Sequence, residues 1–81
     1  MNAALQLLEE QVIEADKEVA ATTSAIHALV ARHIVMIDGI ERIHNIDPDE
    51  FRREMLRLHR MLDILRPRFH HALAVWSAAK N

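Results

Sequence analysis

The sequence predicts an all-α fold, a long, coiled-coil-like helical hairpin of two arms that completes a bundle by dimerisation or by binding a partner. Three observations lead to this prediction. The 81 residues include one Gly, two Pro and no Cys, which disfavours β-hairpin turns and excludes disulfides and thiolate metal sites. Apolar residues recur at alternating spacings of four and three in both halves of the chain, as in heptad repeats. A domain of this size buries only about 60% of its unfolded surface, so we expect the missing stability to come from another chain.

Residues 1–81 are predicted to form one domain, in which arm one is a helix over about residues 3–44. Thr22-Thr23-Ser24 is the place where a cap could divide this arm. Asp38-Gly39 is a turn dipeptide, but the apolar series continues beyond it, so we predict a helix there as well. His33 is interpreted as a polar residue of the seam that fixes the register of the helices. The seam of arm one consists of Leu5, Leu8, Val12, Ala15, Val19, Thr22, Ile26, Leu29, His33, Met36, Ile40 and Ile43.

The turn between the arms is predicted at residues 45–47, because four helix-start signals coincide there. An N-cap, a proline at the first helical position, a capping-box carboxylate and a hydrophobic staple all fit one register. The residues are Asp47 as the N-cap, Pro48, Glu50 as the carboxylate, and Ile46 with Phe51 as the staple.

Arm two is predicted to cover about residues 48–79. Pro67 cannot donate a hydrogen bond to the carbonyl group of Asp63, so we expect this arm to be kinked or split at Pro67. Its seam consists of Phe51, Met55, Leu58, Leu62, Leu65, Phe69, Ala72, Trp76 and Ala79.

A second apolar stripe on arm one is the main indication of function. The seam of a single helical hairpin cannot cover this stripe, and an uncovered apolar stripe typically marks a partner surface. Two aromatic residues of arm two are candidate anchors for the same partner. The predicted partner-binding residues are Val30, Ile34 and Ile37 on arm one, with Phe69 and Trp76 on arm two.

Charge is distributed unevenly, although the net charge is only −2. Residues 1–50 carry ten acids and three bases, a balance of −7, whereas residues 51–81 carry two acids and seven bases, a balance of +5. We expect the two halves to attract each other, either within one helical hairpin or between chains.

The apolar runs are too short to span a membrane, and the N-terminus lacks the basic region of a signal peptide. A cytoplasmic location without membrane contact is therefore predicted.

The sequence lacks the motifs of catalysis, metal binding and nucleic-acid binding. The pairs His33/His44 and His59/His70 are eleven residues apart, so each pair is predicted to lie on one helix face, but no pair has the i, i+4 spacing of zinc ligands. Glu-x-x-His motifs do not occur on two helices. Neither Ser24 nor Ser77 has the neighbours of a nucleophile. The arginines of arm two are spaced to pair with acids along the helix. We predict no catalytic residue, cofactor, metal, small-molecule substrate or nucleic-acid partner.

Three groups of residues give the chain a layout known from other proteins: Asp47-Pro48 followed by Phe51, Arg68-Phe69-His70 with Val75 and Ser77, and the opening Leu5, Leu8 and Glu9. With these residues the layout resembles the small E-type co-chaperones of type III secretion needle subunits, which are short cytoplasmic proteins with two helices in a hairpin. The resemblance implies that the chain pairs with a helical-repeat chaperone and that the two together hold a needle subunit soluble before export.

The predicted function is thus that of a non-enzymatic protein–protein interaction module, and two alternatives remain open. One is a homodimeric helical-bundle regulator or inhibitor, of phage or plasmid type, that binds a host protein. The other is a helical metal-dependent or mutase-like enzyme, which the apolar seams disfavour because such an enzyme needs polar groups in its bundle core.

Overall fold

The computed structural model describes residues 2–81 as a helical hairpin with a short β-hairpin between its two helices. Two helices of 31 and 33 residues are about 47 and 50 Å long, which agrees with overall dimensions of 58 × 19 × 16 Å. The all-α helical hairpin predicted from the sequence is confirmed. The elements are α1 (Ala3–His33), β1 (Ile34–Ile37), β2 (Ile40–Ile43) and α2 (Pro48–Lys80).

Helix α1 begins at a side-chain cap and continues through the threonine pair. The side chain of Asn2 accepts hydrogen bonds from the backbone N–H groups of Ala4 and Leu5, at 3.0 and 3.2 Å. Thr22 and Thr23 each donate a hydroxyl hydrogen bond of 2.9 Å to the carbonyl oxygen four residues earlier. Because both hydroxyl groups are satisfied within the helix, they do not compete with it, and α1 has no cap in its middle.

The predicted continuation of arm one through residues 34–44 is wrong, because α1 ends at His33 and a β-hairpin follows. Asp38 and Gly39 form a two-residue turn with φ angles of 52° and 77°, and two successive positive φ angles are typical of the type I′ turn that joins twisted antiparallel strands. The flanking residues are rich in isoleucine, whose branched side chain favours strands. The single glycine of the chain therefore lies where a turn requires it.

Helix α2 begins where the sequence predicts and is not split at Pro67. Asp47 accepts hydrogen bonds from the backbone N–H groups of Asp49 and Glu50, at 2.8 and 3.2 Å, and Pro48 is the first helical residue. The helix then runs without interruption to Lys80. Since Asp63 and Pro67 are both exposed, the carbonyl group that loses its partner faces water, and the missing hydrogen bond does not end the helix.

The core lies along the contact between the two helices and is thin. Ile26, Leu58 and Leu62 form its buried centre, with Val19, Leu29 and Met55 packed against them. Every predicted seam residue from Leu5 to His33 and from Phe51 to Trp76 is at least partly buried. However, no side chain of residues 2–81 is fully buried. The radius of gyration is 17.9 Å, against about 12 Å for a compact domain of this length.

Candidate protein-binding surfaces

The end of the β-hairpin exposes three large apolar side chains, which we call the hairpin tip. They are Met36, Ile37 and Ile40, with 64%, 53% and 54% of their surface exposed. Ile37 pairs directly with Ile40 across the turn, so these two side chains lie on the same face of the ribbon. Met36 pairs with Glu41 on the other face. Apolar surface is therefore presented on both faces of the tip.

The β-hairpin offers unpaired edges as well as apolar side chains. Its two strands have four residues each and pair only with one another, in the register Ile34–Ile43 to Ile37–Ile40. Both outer edges are therefore open for hydrogen bonding to a further strand. An isolated two-stranded ribbon is only marginally stable in water, so this one depends on its attachment to the helices.

That attachment is made by His33, which the sequence analysis assigns to the helix seam. Its Nδ1 atom lies 2.9 Å from the carbonyl oxygen of His44, and the backbone N–H of His44 donates to the carbonyl oxygen of His33 at 2.7 Å. The buried imidazole ring also meets the ring of Phe51 edge-on, with centroids 6.3 Å apart. His33 therefore joins the end of α1, the base of the β-hairpin and the first turn of α2.

The histidine pairs do not form a metal site in the part of the chain that the structure describes. His33 and His44 meet across the base of the β-hairpin instead of sharing a helix face. His59 and His70 are exposed on α2. Within residues 2–81, no three His, Asp or Glu side chains are grouped closely enough to hold a metal ion.

The five predicted partner-binding residues do not form one surface. Ile37 lies at the hairpin tip, and Val30 is exposed on α1. Ile34 is partly buried at the base of β1 and faces the opposite side of the ribbon from Ile37, because residues three apart on a strand point to opposite faces. Phe69 and Trp76 are partly buried along the helix contact. The predicted helical stripe is therefore divided, since α1 ends before it is complete.

The outer side of α2 is an exposed surface that the sequence analysis missed. Its apolar residues are Leu56, Met61 and Ile64, and they line an open groove of 460 Å³. Arg53, Arg57 and Arg60 surround them. Because charged and apolar residues alternate here, this side of arm two does not stand out in the sequence as an apolar stripe. The helical spacing of Leu56, Arg60 and Ile64, by four residues each, with Met61 three residues before Ile64, is the signal that could have revealed it.

Charged side chains pair along α2 and not between the helices. Among residues 2–81 the ion pairs are Arg52–Asp49, at 2.9 Å, and Arg57–Glu54. Hydrogen bonds from Arg57 lower the pKa of Glu54 and raise the pKa of the guanidinium group, although Arg57 is exposed and Glu54 only partly buried. The expected attraction between the acidic and basic halves of the chain is thus not realised as an ion pair within one copy.

Together these features describe a small helical hairpin that carries a β-hairpin with an apolar tip at one end. Neither α1 nor α2 contains a stretch long and apolar enough to cross a membrane. No family model matches the chain, and neither does any curated protein or solved structure.

Proposed function

We propose that this protein is a non-enzymatic protein-binding module that presents the hairpin tip to a protein partner. The observation that supports the proposal most directly is the exposure of Met36, Ile37 and Ile40 by more than half on a ribbon of only two strands. Exposed apolar clusters on small proteins typically mark interaction sites. Open strand edges beside such a cluster are usually covered, because they otherwise promote uncontrolled association.

The tip fits a partner that can supply both apolar contacts and backbone hydrogen bonds. A strand added at the edge of β1 or β2 would satisfy the open N–H and C=O groups. On the face that carries Ile37 and Ile40, Val35 and Arg42 lie further down the ribbon. An extended segment with apolar residues at alternate positions and an acidic residue near Arg42 matches this face in shape and charge.

A more specific proposal within this class is a cytoplasmic co-chaperone of a type III secretion needle subunit, acting with a helical-repeat chaperone. The arrangement of two helices in a hairpin supports it, and the β-hairpin is an addition to that layout. Co-expression of the chain with a needle subunit and its helical-repeat chaperone tests it. A stable complex of all three supports the co-chaperone role, and a chain that purifies apart from the other two contradicts it.

The general proposal is tested by changing the tip without disturbing the ribbon. Because Ile37 and Ile40 are cross-strand neighbours, Ile37→Lys combined with Ile40→Glu removes the apolar surface from their face of the tip and places opposite charges side by side, while Met36 on the other face is unchanged. The matched control is Leu7→Lys with Ile13→Glu, which changes two similarly exposed residues of α1. Circular dichroism checks that both variants keep the fold.

Proteins captured from the native source by the wild-type chain are identified, produced in pure form and titrated against each variant by calorimetry. We expect the tip variant to weaken binding by more than about tenfold and the α1 control to bind like the wild type. A directly binding partner whose affinity is the same for the tip variant as for the wild type would show that the tip is not the binding site.

A further inference from the structure

One long side of the helical hairpin, distinct from the hairpin tip, combines small residues on one helix with large apolar residues on the other. On α1, Ala21, Ala25 and Ala28 form a row with helical spacing of four and three, and all three are exposed. On α2, Met61 and Ile64 are 38% and 61% exposed. Ala21 and Met61 line the same groove between the helices, so both rows face the same side, which we call the broad face.

Charged residues border the broad face in an arrangement that one copy does not use. Glu14 and Glu18 continue the alanine row toward the start of α1 at the same spacing. Glu18 and Arg68 line one groove between the helices, yet the ion pairs of residues 2–81 are both confined to α2. Over its whole length α1 has five acids and two bases, a balance of −3, and α2 has four acids and seven bases, a balance of +3.

We propose that a second copy of this chain covers the broad face, with α1 of each copy against α2 of the other and both hairpin tips at the same end. Ala25 and Ala28 line an open channel between the helices. Met61 and Ile64 of the second copy fill this channel, as large side chains pack against small ones in helix interfaces. Each helix of charge −3 then lies beside two helices of charge +3, one in its own chain and one in the other.

The reversed arrangement, with the tips at opposite ends, is less favourable on both counts. It places α1 against α1, so two helices of charge −3 face each other, and it sets alanine against alanine and Met61 against Met61. In the proposed arrangement Glu18 meets Arg68 of the second copy instead.

The broad face is also large enough for a stable dimer. It belongs to a rod 58 Å long and 16 to 19 Å wide, and a stable interface needs about 800 Å² from each partner.

The first experiment measures the mass of the particle by sedimentation equilibrium at micromolar concentrations. We expect the wild type to be a dimer of the 9.3-kDa chain and Ala25→Glu to be a folded monomer, because a charged side chain then occupies the channel. Ala20→Glu is the matched control, since Ala20 is also exposed but lies about 140° around the helix from Ala25, and it should remain a dimer. A monomeric wild type, or a dimeric Ala25→Glu, would overturn the proposal.

The second experiment determines the orientation of the two copies with introduced cysteines, which are unique because the chain has none. Chains with Ala25→Cys are mixed with chains with Met61→Cys under oxidising conditions. We expect a disulfide between the two kinds of chain, and none when Ala20→Cys replaces Ala25→Cys. If Met61→Cys instead crosslinks mainly to itself, the copies are reversed and the proposed arrangement is wrong.

These outcomes are separable from those of the hairpin tip. The tip variant leaves the broad face unchanged, so it should lose partner binding while remaining a dimer. Ala25→Glu should lose the dimer while its tip still binds one partner molecule per chain, and each proposal can therefore fail without the other.

Discussion

The Nδ1 atom of His33 lies 2.9 Å from the carbonyl oxygen of His44, across the base of the β-hairpin. Together with the backbone hydrogen bond from His44 to His33, it closes the ribbon at the point where α1 ends. The same imidazole ring packs against Phe51 of α2. One buried side chain therefore contacts both the base of the β-hairpin and the first turn of α2.

Replacing His33 by alanine removes the side-chain hydrogen bond to His44 and the ring contact with Phe51. We expect His33→Ala to lower the free energy of unfolding by about 1–3 kcal/mol, since a hydrogen bond and an aromatic contact each contribute about 0.5–1.5 kcal/mol. Urea denaturation at a fixed protein concentration measures the change. His59→Ala serves as the control, because His59 is exposed, and it should shift stability by less than about 0.5 kcal/mol. Equal midpoints for the two variants would mean that His33 does not hold the junction.

Gly39 distinguishes the β-hairpin from the helix expected on sequence grounds. Its φ angle is 77°, and no atom would obstruct an added Cβ, so the cost of Gly39→Ala comes from the backbone alone. We expect this variant to be destabilised by about 1 kcal/mol, and Gly39→Asn by less, because asparagine tolerates positive φ better. In a helix the change to alanine would stabilise by about 1 kcal/mol instead. Thermal unfolding distinguishes the two structures, because Gly39→Ala lowers the melting temperature if residue 39 lies in a turn and raises it if residue 39 lies in a helix.

Pro67 lies inside α2 at an exposed position, where it removes one helical hydrogen bond. Pro67→Ala restores this bond, so we expect it to raise the stability by up to about 3 kcal/mol and to increase the melting temperature. Ala74→Ser, at another exposed position of α2, should by comparison have an effect below about 0.5 kcal/mol. A lower melting temperature for Pro67→Ala would indicate that a bend at the proline is needed for packing.

The charges that border the broad face should govern the strength of the dimer. We expect Glu18→Arg to raise the dissociation constant, and adding Arg68→Glu to the same chain to restore it, since the double variant exchanges the two signs. Glu9→Arg is the control, because Glu9 lies on the opposite side of α1, about 180° from Glu18. Sedimentation at low and high salt should show that added salt raises the dissociation constant of the wild type more than that of Glu18→Arg, because salt screens the attraction between Glu18 and Arg68. A double variant as weak as the single one would rule out the Glu18–Arg68 contact between copies.

Much of the fold follows from local patterns in the sequence. The four-three series from Leu5 to His33 and from Phe51 to Trp76 identifies the buried sides of both helices, because residues three and four apart share a helix face. The start of α2 at Pro48 also follows from the sequence, because Asp47 is a residue type suited to the N-cap. In the structure it accepts hydrogen bonds from two N–H groups that would otherwise lack partners.

The segment from Ile34 to Ile43 could not be assigned in this way. Met36, Ile40 and Ile43 continue the helical spacing, while Ile34, Met36, Glu41 and Ile43 share one face of a ribbon, and a short apolar run fits both structures. The structure shows that this segment is a ribbon. The evidence is the positive φ angles at Asp38 and Gly39 and the contacts of His33 with His44 and Phe51. The contact of His33 with Phe51 exists only when the two helices lie side by side, so it leaves no periodic trace in the sequence.

The sequence by itself thus determined a small, cysteine-free helical hairpin with apolar surface left over after its seam is filled. Only the tertiary structure decided where that surface lies: at a β-hairpin tip and along a broad face shared by α1 and α2, rather than on one stripe of arm one. The physical reason is that periodicity reports which side of a helix is apolar, whereas exposure depends on where each helix ends and which residues the other helix covers.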